Sequence, residues 1–209
     1  MIRISLRLSA MLLAASALAA SLTACLPLVV GGAAMTGMVA TDRRTSGAQL
    51  EDEGIELRAT SRIREAMGER GHVNVTSYNR QVLLTGEVPS EQDKQNVEQT
   101  VSRVPNVKAT VNELAVLGNS TLAARSADTL VTGKVKASLV DSKDLFANAF
   151  KVVTERGTVY LLGRVTPREA DRATVITRSV GGVLRVVRVF ESITEDELKQ
   201  MLPTSAQAK

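Results

Sequence analysis

Two side chains stand alone in their type in this sequence, and each could do chemistry. Cys25 is the one cysteine and His72 the one histidine. A thiol is a nucleophile once deprotonated, and a single thiol has no intramolecular partner, so Cys25 is open to covalent modification and not to an internal disulfide. It closes an ordered series of Arg3 and Arg7, an apolar run over residues 8–20, then Leu22-Thr23-Ala24-Cys25. Basic residues followed by an apolar run too short to span a bilayer are the layout of an export signal. His72 has no cysteine and no second histidine at ligand spacing, so the sequence predicts a solvated loop histidine and no metal site.

The tetrad Leu-Thr-Ala-Cys resembles the lipobox of bacterial lipoproteins. The resemblance implies that residues 1–24 are a signal peptide, that the Cys25 sulfur takes a diacylglyceryl group, and that the freed amine accepts another acyl chain. Two or three chains, at about 0.8 kcal/mol per buried methylene, anchor stably where one is marginal. Leu26, standing where Asp would retain such a protein elsewhere, resembles an outer-membrane sorting signal, and the expected location is the outer membrane, facing the periplasm. Residues 25–50 are small and Gly-rich and then basic and polar. They read as the lipidated N-terminus and a flexible tether, and the spacing of Gly32 and Gly37 is wrong for a GxxxG helix contact.

Other chemistry finds no support. The acidic runs Glu51-Asp52-Glu53 and Glu195-Asp196-Glu197 lack the alternating spacing and central glycine of a calcium loop and read as solvated helix ends. Neither a G-x-S-x-G elbow nor a phosphate-cradling glycine loop is present, so no enzyme, cofactor or small-molecule substrate is expected. The formal charge of +4 suggests an anionic partner, yet with no Trp and 2% aromatic residues the chain offers few stacking platforms for a nucleic acid.

An internal repeat organises the rest. Ser61-Arg62-Ile63-Arg64-Glu65-Ala66-Met67 aligns with Gly133-Lys134-Val135-Lys136-Ala137-Ser138-Leu139. Val82-Leu83-Leu84-Thr85-Gly86-Glu87-Val88 aligns with Val159-Tyr160-Leu161-Leu162-Gly163-Arg164-Val165, and Val104-Pro105-Asn106-Val107 with Val180-Gly181-Gly182-Val183. Apolar residues four apart, Ile55, Ala59, Ile63 and Met67 in one copy and Ala127, Val131, Val135 and Leu139 in the other, predict helices with one buried face. Val-rich runs on either side of Tyr78-Asn79-Arg80 and Glu155-Arg156-Gly157 predict hairpins. Pro89-Ser90-Glu91 and Thr166-Pro167-Arg168-Glu169 predict helix starts, each followed by a last Val-rich strand. The expected fold class is α+β, two tandem αββαβ units over residues 51–117 and 122–194, with residues 195–209 a tail.

That element order, and the strand ending in Leu-x-Gly-x-Val, resemble the BON domain. With the lipobox and tether, the whole chain resembles the dual-BON outer-membrane lipoproteins. The resemblance implies a non-enzymatic role in outer-membrane integrity, with the first helix of the second unit binding anionic phospholipid. In that family pattern an aromatic residue stands where this chain aligns Leu130.

The residues carry their own indication of a lipid surface. Residues 51–117 hold 8 Lys or Arg against 11 Asp or Glu, whereas residues 122–193 hold 12 against 7. A basic unit suits an anionic head-group layer. In the repeat alignment Arg58, Arg62, Glu65 and Glu69 of the first helix correspond to Leu130, Lys134, Ala137 and Asp141, so the outer face gains a leucine as it loses charge. Leu130 and Lys134, four apart, share one helix face. Leu145 and Phe146, in the connection that follows, are expected as an apolar loop tip, with Phe150 packing inward. The phospholipid-contacting set is therefore Leu130, Lys134, Leu145 and Phe146. The alternative is a protein-binding adaptor that uses the same surface to engage outer-membrane protein assembly components.

Overall fold

The computed structural model describes residues 42–201. The expected signal peptide, Cys25 and the tether as far as residue 41 lie outside the described residues, as do residues 202–209.

Each half opens with a helix capped by a threonine. Helix α1, Ser46–Met67, begins where the Thr45 hydroxyl accepts from the Ala48 N–H, and it buries Ile55, Ala59, Ile63 and Met67. Helix α3, Leu122–Asp141, begins where Thr121 accepts from Ala124, and it buries Val131, Val135 and Leu139. Because Thr45 supplies the cap, α1 starts inside the stretch expected as tether.

A hairpin follows each helix: β1 (His72–Tyr78) with β2 (Gln81–Val88), and β5 (Phe150–Glu155) with β6 (Thr158–Val165). The turn pairs Asn79-Arg80 and Arg156-Gly157 all have positive φ, between 49° and 71°, as a two-residue turn matched to the strand twist requires. The glycine within each second strand has a steric cause. A Cβ on Gly86 would lie 2.0 Å from the His72 carbonyl oxygen, and one on Gly163 would lie 2.5 Å from that of Ala149. Only glycine lets the outer strand pass so close.

Helices α2 (Glu91–Ser102) and α4 (Pro167–Arg178) start at Ser90 and Thr166, as the cap signals predict. Each chain path then returns parallel to the middle strand, through β3 (Ala109–Asn112) and β4 (Ala115–Val116) in the first unit and the unbroken β7 (Arg185–Ser192) in the second. The strand orders are β1-β2-β3, with β4 also on β2, and β5-β6-β7. The expected αββαβ order holds in both copies. A short helix α5, Glu195–Met201, continues into the expected tail and buries Leu198.

Strand alternation sorts side chains to two faces. Val82, Leu84 and Val88 join the α1 and α2 residues in one core, and Val159, Leu161 and Val165 join α3 and α4 in another. The opposite faces meet each other. Tyr78 and Leu83 pack with Tyr160, Leu162 and Val189 in a third cluster between the sheets. Polar bonds rim it: Asn74 donates to Glu155 at 2.8 Å, Lys151 to the Ser77 carbonyl at 3.2 Å, and Arg185 to Glu113 at 2.7 Å.

The residues just before α1 cross this seam. Arg43 donates to both carboxylate oxygens of Glu169 at 2.7 and 2.8 Å and to the Arg164 carbonyl at 2.8 Å. Arg44 pairs with Asp42 and Asp52 and lies 4.3 Å from the Tyr78 ring centroid. Residues 42–45 thus strap the first unit to the second.

Candidate functional site

The expected site lies on α3, whose angular order follows from 100° per residue. Asp128, Val131, Val135 and Leu139 form the buried side. Directly opposite stand Ser126, Gly133 and Ala137, with Leu130, Val140 and Leu122 beside them. Leu130 and Val140 are each 67% exposed and Leu122 is 80% exposed. Lys134 borders this stripe on one side and Lys136 on the other. Both are exposed, and neither makes an ion pair among the described residues. Asp141 closes the stripe at the helix C-terminus.

Phe146 is 40% exposed at the entry to a single 3₁₀ turn, Ala147–Ala149. Leu145 corrects the expectation of an apolar loop tip: it is 9% exposed and belongs to the second unit's core. Its side chain is directed inward and is not available to a surface. Phe150 packs inward as expected, edge-on to Phe190 at 6.0 Å.

A second correction concerns register. Asp52 on α1 accepts from the N–H groups of Asn79 and Arg80, and Asp128 on α3 accepts from those of Arg156 and Gly157. These two aspartates occupy the same position, so Ile55 matches Val131, Ala59 matches Val135 and Ile63 matches Leu139. Ala127, expected in the buried series, is exposed. The counterpart of Leu130 is therefore Gly54 and that of Lys134 is Arg58, one turn away from the sequence alignment. Leu130 is added apolar surface, not a replaced charge.

The buried aspartate also overturns the solvated reading of Glu51-Asp52-Glu53. Burial pushes the Asp52 carboxyl up, but bonds from Ser77, the Arg80 and Asn79 N–H groups and Arg44 outweigh it and hold the group below the usual carboxylate range. Glu169 behaves alike, with Arg43 and the Thr166 N–H overcoming its burial.

The BON-domain family matches residues 56–118 and 127–193 of this chain. The chain belongs to the BON-domain family. Outer membrane lipoprotein DolP of Haemophilus influenzae is 36% identical over 172 residues, 81% of this chain and 89% of that protein. The 21 kDa hemolysin of Actinobacillus pleuropneumoniae is 29% identical over 154 residues, 73% and 79% of the two chains. A solved structure of CdsD, a structural protein of the type III secretion system of Chlamydia trachomatis, covers 68% of this chain and 96% of its own at 15% identity. Its TM-score of 0.28 is too low to bear on the fold.

Among the described residues, no helix of either BON domain is long and apolar enough to cross a membrane. Sequence reasoning missed the pinning aspartates, the Arg43–Glu169 pair, and a cluster of His72, Glu87 and Glu155 whose donor atoms lie within 4.8 Å of one another. Each BON domain does announce its aspartate: it stands three residues before the first buried aliphatic of its helix.

Proposed function

We propose that this protein is a lipid-anchored lipoprotein of the outer membrane, facing the periplasm, that supports envelope integrity without catalysis. Its second BON domain touches anionic phospholipid through the outer face of α3. The chain's likeness to an outer-membrane lipoprotein and its Leu-Thr-Ala-Cys tetrad support the location and the anchor at Cys25.

One observation carries the lipid contact: exposed Leu122, Leu130 and Val140 form an apolar stripe with Lys134 and Lys136 on its flanks. An apolar ridge between two cations lets the ridge enter the head-group layer while the ammonium groups stay among phosphates. The first BON domain supplies the contrast. Its α1 also exposes Leu50 and Leu57, but the exposed charges on that helix are Glu53, Arg64 and Glu65, so the face has no pair of basic flanks to draw it to an anionic surface. Phe146 extends the proposed contact beyond the end of α3, and Leu145 takes no part.

Flotation of the soluble body, residues 42–209, with vesicles of neutral lipid or of added phosphatidylglycerol tests the reading. The parent floats only with anionic vesicles and less so as salt rises. Lys134→Glu weakens binding about fivefold or more, because each basic residue at the surface contributes about 1 kcal/mol. Leu130→Glu abolishes it, and Leu57→Glu on α1 leaves it unchanged. Equal loss from Leu57→Glu, or no flotation at low salt, rejects a lipid contact by the second domain.

A further inference from the structure

Where the two sheets meet at the far end of β2, three ligand-type side chains converge. His72 stands directly opposite Glu87 in the antiparallel β1–β2 pair, so both side chains point from the same sheet face across the seam. Glu155 reaches them from the end of β5 in the other BON domain. One donor atom from each lies within 4.8 Å of the others. Two ligands bound to one ion at about 2.1 Å stand about 3–4 Å apart, so small side-chain rotations close the set.

The local polar groups are incompletely matched. Glu87 is fully enclosed, Glu155 is 7% exposed, and the Nδ1 atom of His72 is buried without a hydrogen bond although Glu87 Oε2 is 3.4 Å away. Burial, with the nearby charges of Glu87 and Asp128 adding to it, holds the Glu155 carboxyl above its ordinary value even though Asn74 donates to it. The Arg156 guanidinium approaches only the other oxygen of Glu87, at 3.3 Å, and Asp128 is committed to the hairpin N–H groups. Two buried carboxylates and an unbonded imidazole nitrogen therefore face one another, and Arg156 engages only one oxygen of Glu87.

We propose that His72, Glu87 and Glu155 bind one divalent transition-metal ion, zinc in the first instance, across the interface of the two BON domains. One nitrogen and two carboxylate oxygens suit a borderline cation better than calcium, which takes an all-oxygen shell. Supporting bonds are in place: Asn74 orients Glu155 at 2.8 Å, and the Ser120 N–H orients Glu87 at 3.1 Å. His72 also lines a surface cleft with Met67, Gly71, Asn119 and Arg125. The repeat does not duplicate the site, since hairpin register puts Ala149, Arg164 and Tyr78 at the matching positions. The stoichiometry is one ion per chain, and the ion fastens the first domain to the second.

The test uses the full lipidated chain, purified in detergent and stripped with chelator. It is titrated with Zn²⁺ by calorimetry at pH 7.5, and with Co²⁺ followed by visible absorption. One equivalent binds, and Zn²⁺ raises the unfolding midpoint. His72→Ala and the isosteric Glu155→Gln each weaken binding at least tenfold and remove that rise, with circular dichroism confirming that both variants fold. Binding weakens between pH 7.5 and 5.5, because protons compete with the ion for its nitrogen and carboxylate ligands. Absence of saturable binding in the parent, or equal binding in both variants, overturns the proposal.

Discussion

The two BON domains share their interiors and differ in what their first helices present to the outside. In both, an aspartate on the helix pins a two-residue hairpin turn, a helix-capping hydroxyl starts the second helix, and a glycine admits the outer strand. On the outside, α1 exposes Glu53, Arg64 and Glu65, while α3 carries Lys134 and Lys136 beside Leu130 and Val140. The acid in the first turn of the second helix differs too. Asp93 meets the exposed Arg70 at 3.3 Å, whereas Glu169 is enclosed with Arg43 from the strap. Packing and turn pinning leave little freedom, so the copies diverged where side chains meet solvent or each other.

Breaking the strap has the largest expected effect. Arg43→Ala leaves the Glu169 carboxylate buried without its cation and costs about 3–5 kcal/mol, read as a lower urea midpoint. Asp52→Ala comes next. It strands donors on Ser77, Asn79, Arg80 and Arg44, and costs about 3 kcal/mol, against about 2 kcal/mol for Asp128→Ala, which strands two N–H groups. Equal losses would show that the two hairpins are pinned alike.

Acid sharpens the same contrast. Asp52 and Glu169 have folded-state pKa values below their ordinary ones. The stability they give is complete above about pH 5 and is lost as pH falls through those lowered values. Glu155, raised by burial, contributes with the opposite sign, and its ionisation costs stability as pH rises through its folded value. A urea midpoint followed from pH 6 down to pH 2 falls in the parent, and Asp52→Asn flattens part of that fall. Arg70→Ala has the smallest effect, below about 1 kcal/mol, because the Arg70 side chain is 60% exposed and Asp93 keeps its bonds with Ser90.

Element order, caps, hairpin turns and most of the buried helix faces were legible in the sequence, because periodicity and turn chemistry act locally. The register between the first helices was not. An apolar stripe repeating every four residues looks the same when shifted by four, so Ala127 entered the series and Leu130 was set against Arg58. Only a residue that breaks the periodicity, the buried aspartate, fixes the alignment, and its burial depends on a turn about 28 residues away. Leu145 was misplaced for a related reason. With α3 two residues shorter than α1, the position matching Met67 falls past its end, and the loop folds back to supply the missing apolar volume. Contacts between the domains, His72 with Glu155 and Arg43 with Glu169, join positions 83 and 126 residues apart, for which no local pattern exists.

The seam between the sheets has one more property. Asn74 and Lys151 hold the same place in the repeat, and each reaches across to the far end of the other's strand, at Glu155 and at the Ser77 carbonyl. Such reciprocity is how identical subunits meet about a twofold axis. The chain thus contains the equivalent of a homodimer, made permanent by the short link over residues 117–121, which holds the halves at a local concentration that no change in expression level alters. With pairing guaranteed, the two partners need not be alike, and one is basic while the other is acidic.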